Sequence, residues 1–298
     1  MEVRARFAAT DDGQQLYYRV LGSGPTLVCC NGVGVSTFFW MYVAAHFQKH
    51  FRVVLWDYRG HGRSSLPDHP DSADLSMQRM ARDLQCVIEA SGTEDKPVLM
   101  GHSMGCQVIL EHAKCFPGEA RALVPMFGTY TRPLDSLLDS PYSRQIFRLI
   151  HRAARVGGRV GRRWFRPLVA SPFALDLAGR TGLIDRHFAQ RQDMEMYLEH
   201  LNQMDPRVLF RTVALMADHD MTDFLPSIDV PVLVIAGEDD LFTPLRQSRR
   251  MAELIPNAEF MVIPEGSHAA IVEYPDTINL RIERFLRERL GLECGGEE

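Results

Sequence analysis

The pentapeptide GHSMG at 101–105 places a serine between two glycines, directly after the apolar run PVLM and directly before CQVILEHAKCF. A strand-to-helix turn that sharp forces its central residue into a strained backbone, and the flanking glycines remove side chains that would strike neighbouring chain. Ser103 is therefore the candidate nucleophile. A serine hydroxyl attacks weakly until a neighbouring base removes its proton, and an imidazole with an ordinary pKa of about 6.5 suits that work at neutral pH.

Eleven histidines compete for the role. His268, in PEGSHAAIVEYP, follows the apolar run EFMVI and so sits past a strand end, as Ser103 does. His102 adjoins the serine, but neighbouring side chains diverge, and it is read as shaping the turn. The acid is sought in GEDDLFTP at 237–244, which follows PVLVIA and offers both Asp239 and Asp240. A buried carboxylate accepting the imidazole N–H would fix the tautomer and stabilise the imidazolium. Each residue taken alone has an inert reading, as surface, packing or loop residue. Three candidates, each just past an apolar run and in the order Ser, Asp, His, favour acyl-transfer chemistry.

These residues need elements to hold them. Apolar or alternating segments at 3–9, 15–21, 26–31, 53–57, 97–101, 122–127, 231–237 and 259–263 read as strands. The spacing of Met77, Met80, Ala81, Leu84, Val87 and Ile88 predicts an amphipathic helix over 76–91, and 104–115 and 276–290 read similarly. Strands alternating with helices predict an α/β fold, its mostly parallel sheet covered on both faces. Cys29 and Cys30, inside one apolar run, would point to opposite faces of a strand as small core side chains. The alternation breaks between about 131 and 229, too long for a structureless loop. A helical cap inserted at 131–229 into a core of 1–130 and 230–298 is the expectation.

With 298 residues, 46% apolar and 24% charged, the chain has the composition of a globular protein with a sizeable core. A net charge of −5 gives no global electrostatic reason to expect nucleic-acid binding. Six cysteines without metal-ligand spacing favour a reducing compartment. The start lacks the apolar core of a secretory signal, and no stretch approaches the ~20 apolar residues of a membrane span, so a cytoplasmic protein is expected. ADHDMTD at 217–223 matches no metal motif and reads as a polar helix-to-strand connection.

The chain resembles the α/β-hydrolase superfamily over about residues 5–130 and 226–290, through NGVGV at 31–35, DYRGHGRS at 57–64, GHSMG at 101–105, GEDDLFTP at 237–244 and GSHAAIVEYP at 266–275. The resemblance implies an eight-stranded sheet and a Ser103, His268, Asp240 triad, because the family's acid stands three residues after the glycine and four before the proline. It implies an oxyanion hole from the N–H groups of Val33 and Met104, with Asn31 where the family usually has histidine, and Asn31 and Gly32 beside the substrate. Asp57, Arg59, Gly60, Gly62 and Ser64 match a loop taken as structural. The implied activity is hydrolysis of a carboxylic ester or thioester through an acyl-enzyme, on a small substrate with an apolar acyl part, with no cofactor or metal. Ser103 disfavours the aspartate-nucleophile branch of dehalogenases and epoxide hydrolases. Cofactor-free haloperoxidases, C–C bond hydrolases and acyltransferases share such a triad; a catalytically silent binding protein is the rival of another class.

Residues 141–187 carry ten arginines against two aspartates, +8 beside −13 for the remainder, with eight of the arginines between Arg144 and Arg166. A solvated helix face is the simpler reading. Attraction of an anionic substrate, or peripheral contact with an acidic membrane surface, is the functional one.

Overall fold

The computed structural model describes residues 6–133 and 191–292. Eight strands form one sheet: β1 (Arg6–Ala9), β2 (Gln15–Leu21), β3 (Thr26–Cys30), β4 (Arg52–Trp56), β5 (Val98–His102), β6 (Ala122–Met126), β7 (Leu233–Gly237) and β8 (Glu259–Ile263). Their order is β1-β2-β4-β3-β5-β6-β7-β8. β2 runs antiparallel to β1 and β4, and every pairing from β4 to β8 is parallel. The described helices of seven or more residues are α1 (Met41–Phe47), α2 (Met77–Ala90), α3 (Met104–Cys115), α4 (Arg191–Gln203), α5 (Pro206–Met216), α6 (Leu245–Leu254) and α7 (Pro275–Leu290).

The sheet separates two apolar cores. One joins Val28, Cys30, Val54 and Trp56 to Met80, Leu84 and Val87 of α2, Val108 and Ile109 of α3, and Met251 of α6. The other joins Leu27, Cys29, Val53 and Leu55 to Val43 and Phe47 of α1 and Ile278, Ile282 and Phe285 of α7. Cys29 and Cys30 thus lie on opposite faces, as the period of a strand demands. Because β3, β5, β6 and β7 are buried along their whole length, their sequences read as continuous apolar runs rather than alternations.

Local signals set the helix ends. The Ser76 hydroxyl accepts the Arg79 N–H at 3.2 Å to open α2, and Gly291, at φ 62°, closes α7 in the left-handed region that glycine enters freely. Between β6 and β7 the described residues include α4 and α5, with Pro206 at the first turn of α5 and Asp205 capping it. The arginine-rich stretch 144–166 lies outside the described residues.

Because β3 through β8 run parallel, the loops after β3, β5, β7 and β8 leave the same edge of the sheet. Residues 31–36, Ser103, residues 238–240 and His268 all follow those ends.

Candidate active site

Ser103 occupies the single-residue turn between β5 and α3 with φ 55° and ψ −118°, a conformation that costs an L-residue of order 1–3 kcal/mol. The glycines around it are sterically required. A Cβ on Gly101 would stand 2.5 Å from the Gly105 carbonyl oxygen, and one on Gly105 would stand 2.2 Å from that of Cys30. Those contacts let α3 lie close to β3 and β5, and they direct the serine side chain away from the sheet. Met104, the first residue of α3, has an N–H with no carbonyl in the preceding turn to accept it.

His268 brings its Nε2 to 2.9 Å from Ser103 Oγ and its Nδ1 to 2.9 Å from Asp240 Oδ2. The serine hydroxyl can then donate to Nε2 only if the ring proton sits on Nδ1, which the carboxylate enforces by accepting it. Asp240 is 2% exposed. Its Oδ1 accepts the backbone N–H groups of Phe242 (2.9 Å) and Thr243 (2.8 Å), and Oδ2 also accepts the Thr243 hydroxyl at 2.6 Å. Every lone-pair direction of the carboxylate thus has a donor, which fixes its orientation toward the imidazole. Asp239 is exposed, and its N–H donates to the Gly266 carbonyl, so of the two aspartates only Asp240 reaches the imidazole.

The loop carrying His268 has further supports. The Ser267 hydroxyl donates to Glu273 at 2.6 Å and accepts the Ala269 N–H at 3.0 Å, and the Phe242 ring packs 5.4 Å from the His268 ring. No sequence pattern singles out Thr243 or Glu273. Thr243 carries only a faint signal, a hydroxyl three residues after the candidate acid in the same loop.

Asn31 departs from expectation. Rather than facing a substrate, its side chain is 1% exposed and points into the fold: Nδ2 donates to the Trp56 carbonyl at 2.6 Å, and Oδ1 accepts the Trp40 indole N–H at 2.8 Å. The Tyr58 hydroxyl donates to the Asn31 carbonyl at 2.9 Å. An amide supplies both a donor and an acceptor to two partners that need one of each, so the side chain braces the loop. Gly32 lies against the candidate nucleophile, since a Cβ there would stand 3.1 Å from Ser103 Cβ. Val33 follows, half-buried at the edge of the core.

The 57–64 loop is tied down throughout. Burial raises the carboxyl pKa of Asp57, opposed by the N–H groups of Arg63 and Thr37 and the Ser36 hydroxyl that it accepts. A Cβ on Gly62 would stand 2.2 Å from that carboxylate. Arg59, 2% exposed, pairs with Asp83 at 2.6 Å and Asp12 at 2.8 Å, linking the loop to α2 and the β1–β2 turn. His219 pairs with Glu111 at 2.8 Å, pinning the 217–223 connection to α3. Among the described residues no three His, Cys, Asp or Glu side chains gather as a metal site, and no helix is long and apolar enough to cross a membrane.

The alpha/beta hydrolase fold family matches residues 25–275. The protein of Caulobacter sp. (strain K31) named "Putative carbamate hydrolase RutD" is 30% identical over 287 residues, covering 94% of this chain and 97% of that one. Among solved structures, a hydrolase from Pseudomonas aeruginosa PA01 superposes with a TM-score of 0.76 at 24% identity, covering 96% of this chain and 99% of that chain. The enol-lactonase from Burkholderia xenovorans LB400 superposes with a TM-score of 0.75 at 21% identity, covering 95% and 100%. A match over most of the sequence, on an eight-stranded sheet of the same architecture, places this chain in the α/β-hydrolase family.

Proposed function

We propose that the protein is a serine hydrolase that cleaves a carboxylic ester or thioester through an acyl-enzyme intermediate. The observation that carries this reading is the continuous chain from Ser103 Oγ through the His268 ring to Asp240, with 2.9 Å at both links. Ser103 Oγ attacks the carbonyl carbon while its proton passes to His268 Nε2. Asp240 stabilises the imidazolium. The N–H groups of Val33 and Met104 hold the developing oxyanion, aided by the positive end of α3, and Gly32 keeps the loop close enough for both. His268 then returns the proton to the leaving alcohol or thiol. Water, deprotonated by the same ring, attacks the acyl carbon, and collapse of the second tetrahedral intermediate frees the acid and restores the Ser103 hydroxyl.

Residues 131–229 serve in this reading as the helical cap insertion. The substrate is a small molecule with an apolar acyl part. The Caulobacter relative's name favours a second substrate class, a carbamate, whose carbonyl carbon the same hydroxyl could attack.

A fluorophosphonate should label the wild type covalently and leave Ser103→Ala unlabelled. Equal labelling of the two, or none of the wild type, would refute the reading. A panel of p-nitrophenyl esters of increasing acyl length, with a p-nitrophenyl carbamate alongside, then ranks the substrate classes by kcat/KM.

A further inference from the structure

We infer that His102 is a positioning residue that sets the place of the base by holding its backbone; the inference rests on the Ser103–His268–Asp240 reading above. His102 is the last residue of β5, paired with Met126 of β6 near the middle of the sheet. Its side chain is 3% exposed, and its Nε2 lies 3.0 Å from the carbonyl oxygen of His268. A carbonyl can only accept, so Nε2 of the His102 ring carries a proton and donates it. Burial, with the His268 ring beside it, pushes the His102 pKa down to about 3, which keeps the ring neutral across the working pH range.

The consequence is geometric. His268 sits on a loop after β8, outside the sheet, whereas Ser103 is fixed by the turn between β5 and α3. The reactive hydrogen bond between them breaks and re-forms during turnover, so it cannot by itself keep the two groups in register. The His102 bond crosses the same gap without taking part in proton transfer. It runs from the residue preceding the nucleophile to the main chain of the base. The ring is clamped for this purpose: it packs 4.5 Å from Phe39, 6.2 Å from Phe127 and 5.1 Å from His268 itself. On the side of the oxyanion loop, a Cβ on Gly32 would stand 3.1 Å from its Nδ1. That nitrogen has no hydrogen-bond partner among the described residues, so the contact with the His268 carbonyl is the ring's polar anchor. The opposite side of the base loop is held by Ser267 and Glu273. A displacement of about 1 Å at a reacting group costs on the order of 100-fold in rate.

The test compares His102→Phe, which keeps a ring between Phe39 and Phe127 but has no donor, with His102→Gln, whose amide nitrogen can occupy the place of Nε2. Active-site titration with a fluorophosphonate normalises each rate to folded enzyme, so loss of protein is not mistaken for loss of rate. His102→Phe should lower kcat on the best p-nitrophenyl ester by about 10- to 100-fold with KM within about two-fold, and His102→Gln should recover kcat to within about three-fold of wild type. A His102→Phe enzyme with wild-type kcat overturns the inference. So does a His102→Gln enzyme as slow as His102→Phe, because packing and not the donor would then be what matters. If wild type fails to label, or Ser103→Ala still hydrolyses, the triad reading itself has failed and this inference falls with it; wild-type labelling beside an unaffected His102→Phe sinks this inference alone.

Discussion

Replacing Asp240 by asparagine should abolish most activity while leaving the fold intact, and the hydrogen bonds around that side chain say why. Oδ1 accepts two backbone N–H groups, from Phe242 and Thr243, and both can only donate. An asparagine must therefore place its oxygen there, because the reverse orientation would set an NH2 group against two donors and forfeit both bonds. Its NH2 then occupies the position of Oδ2, facing His268 Nδ1 and the Thr243 hydroxyl. The hydroxyl can turn and accept. The imidazole accommodates the new donor by moving its proton to Nε2, the nitrogen 2.9 Å from Ser103 Oγ, which can then no longer take the serine proton. Holding a triad histidine in the wrong tautomer costs on the order of 10⁴-fold in kcat, about 5 kcal/mol of transition-state stabilisation. The assay is kcat/KM on the best p-nitrophenyl ester together with the rate of fluorophosphonate labelling, with thermal unfolding to show that the variant is native. Asp239→Asn, on the exposed neighbour, serves as control and should stay within about two-fold of wild type. A natively folded Asp240→Asn enzyme within ten-fold of wild type would refute the tautomer argument.

Three further outcomes follow from contacts elsewhere. Gly105→Ala would bring a Cβ to 2.2 Å from the Cys30 carbonyl oxygen and 2.9 Å from that of Asn31, backbone that cannot move aside, so urea unfolding should show a loss of about 3 kcal/mol or failure to fold; an unchanged midpoint would contradict the close approach of α3 to β3. Asp83, fully buried, pairs with both Arg59 and Arg79, whose second partners are the more exposed Asp12 and Asp11, and Asp83→Ala should cost about 3 kcal/mol by the same measurement. Burial pushes His61 and His112 down to about 4 and His102 to about 3, whereas an unfolded histidine titrates at about 6.5. Between those values the unfolded chain binds protons that the folded chain refuses, so the stability these rings leave intact above pH ~6.5 is lost as the pH falls, at up to about 4 kcal/mol per pH unit near pH ~5. Urea midpoints that stay level from pH 7 to pH 5 would show that these rings are not held neutral.

The parts of the molecule legible in sequence are those whose cause is local. β3, β5, β6 and β7 are covered on both faces, so they appear as apolar runs, and their observed bounds fall within two residues of expectation. α2 announces itself because one stripe, from Met77 to Ile88, meets the core. α6 is hard to read from sequence for the opposite reason. In LRQSRRMAEL only Ser248 and Met251 are buried, too thin a stripe to stand out from a polar loop. α1, with seven residues, is too short for its period to show.

The same division runs through the candidate site. That Ser103, Asp240 and His268 come together is legible because each follows a strand that reads as one, and parallel strands put their far ends along one edge whatever the details of packing. The residues that hold them could not be found this way. Asn31 faces Trp40 and Trp56 because an amide at the end of β3 meets an indole N–H and a strand-end carbonyl, partners that only the folded loop supplies. Thr243 matters because its hydroxyl shares an oxygen of Asp240 with the imidazole, and His102 because its ring reaches a carbonyl 166 residues further along the chain. A motif specifies which groups can react; the distance at which they react is set by contacts between segments that carry no common pattern. A substitution that leaves GHSMG, GEDDLFTP and GSH in place can therefore still displace the base, and among the described residues the contacts of His102, Thr243 and Glu273 are where that displacement would begin.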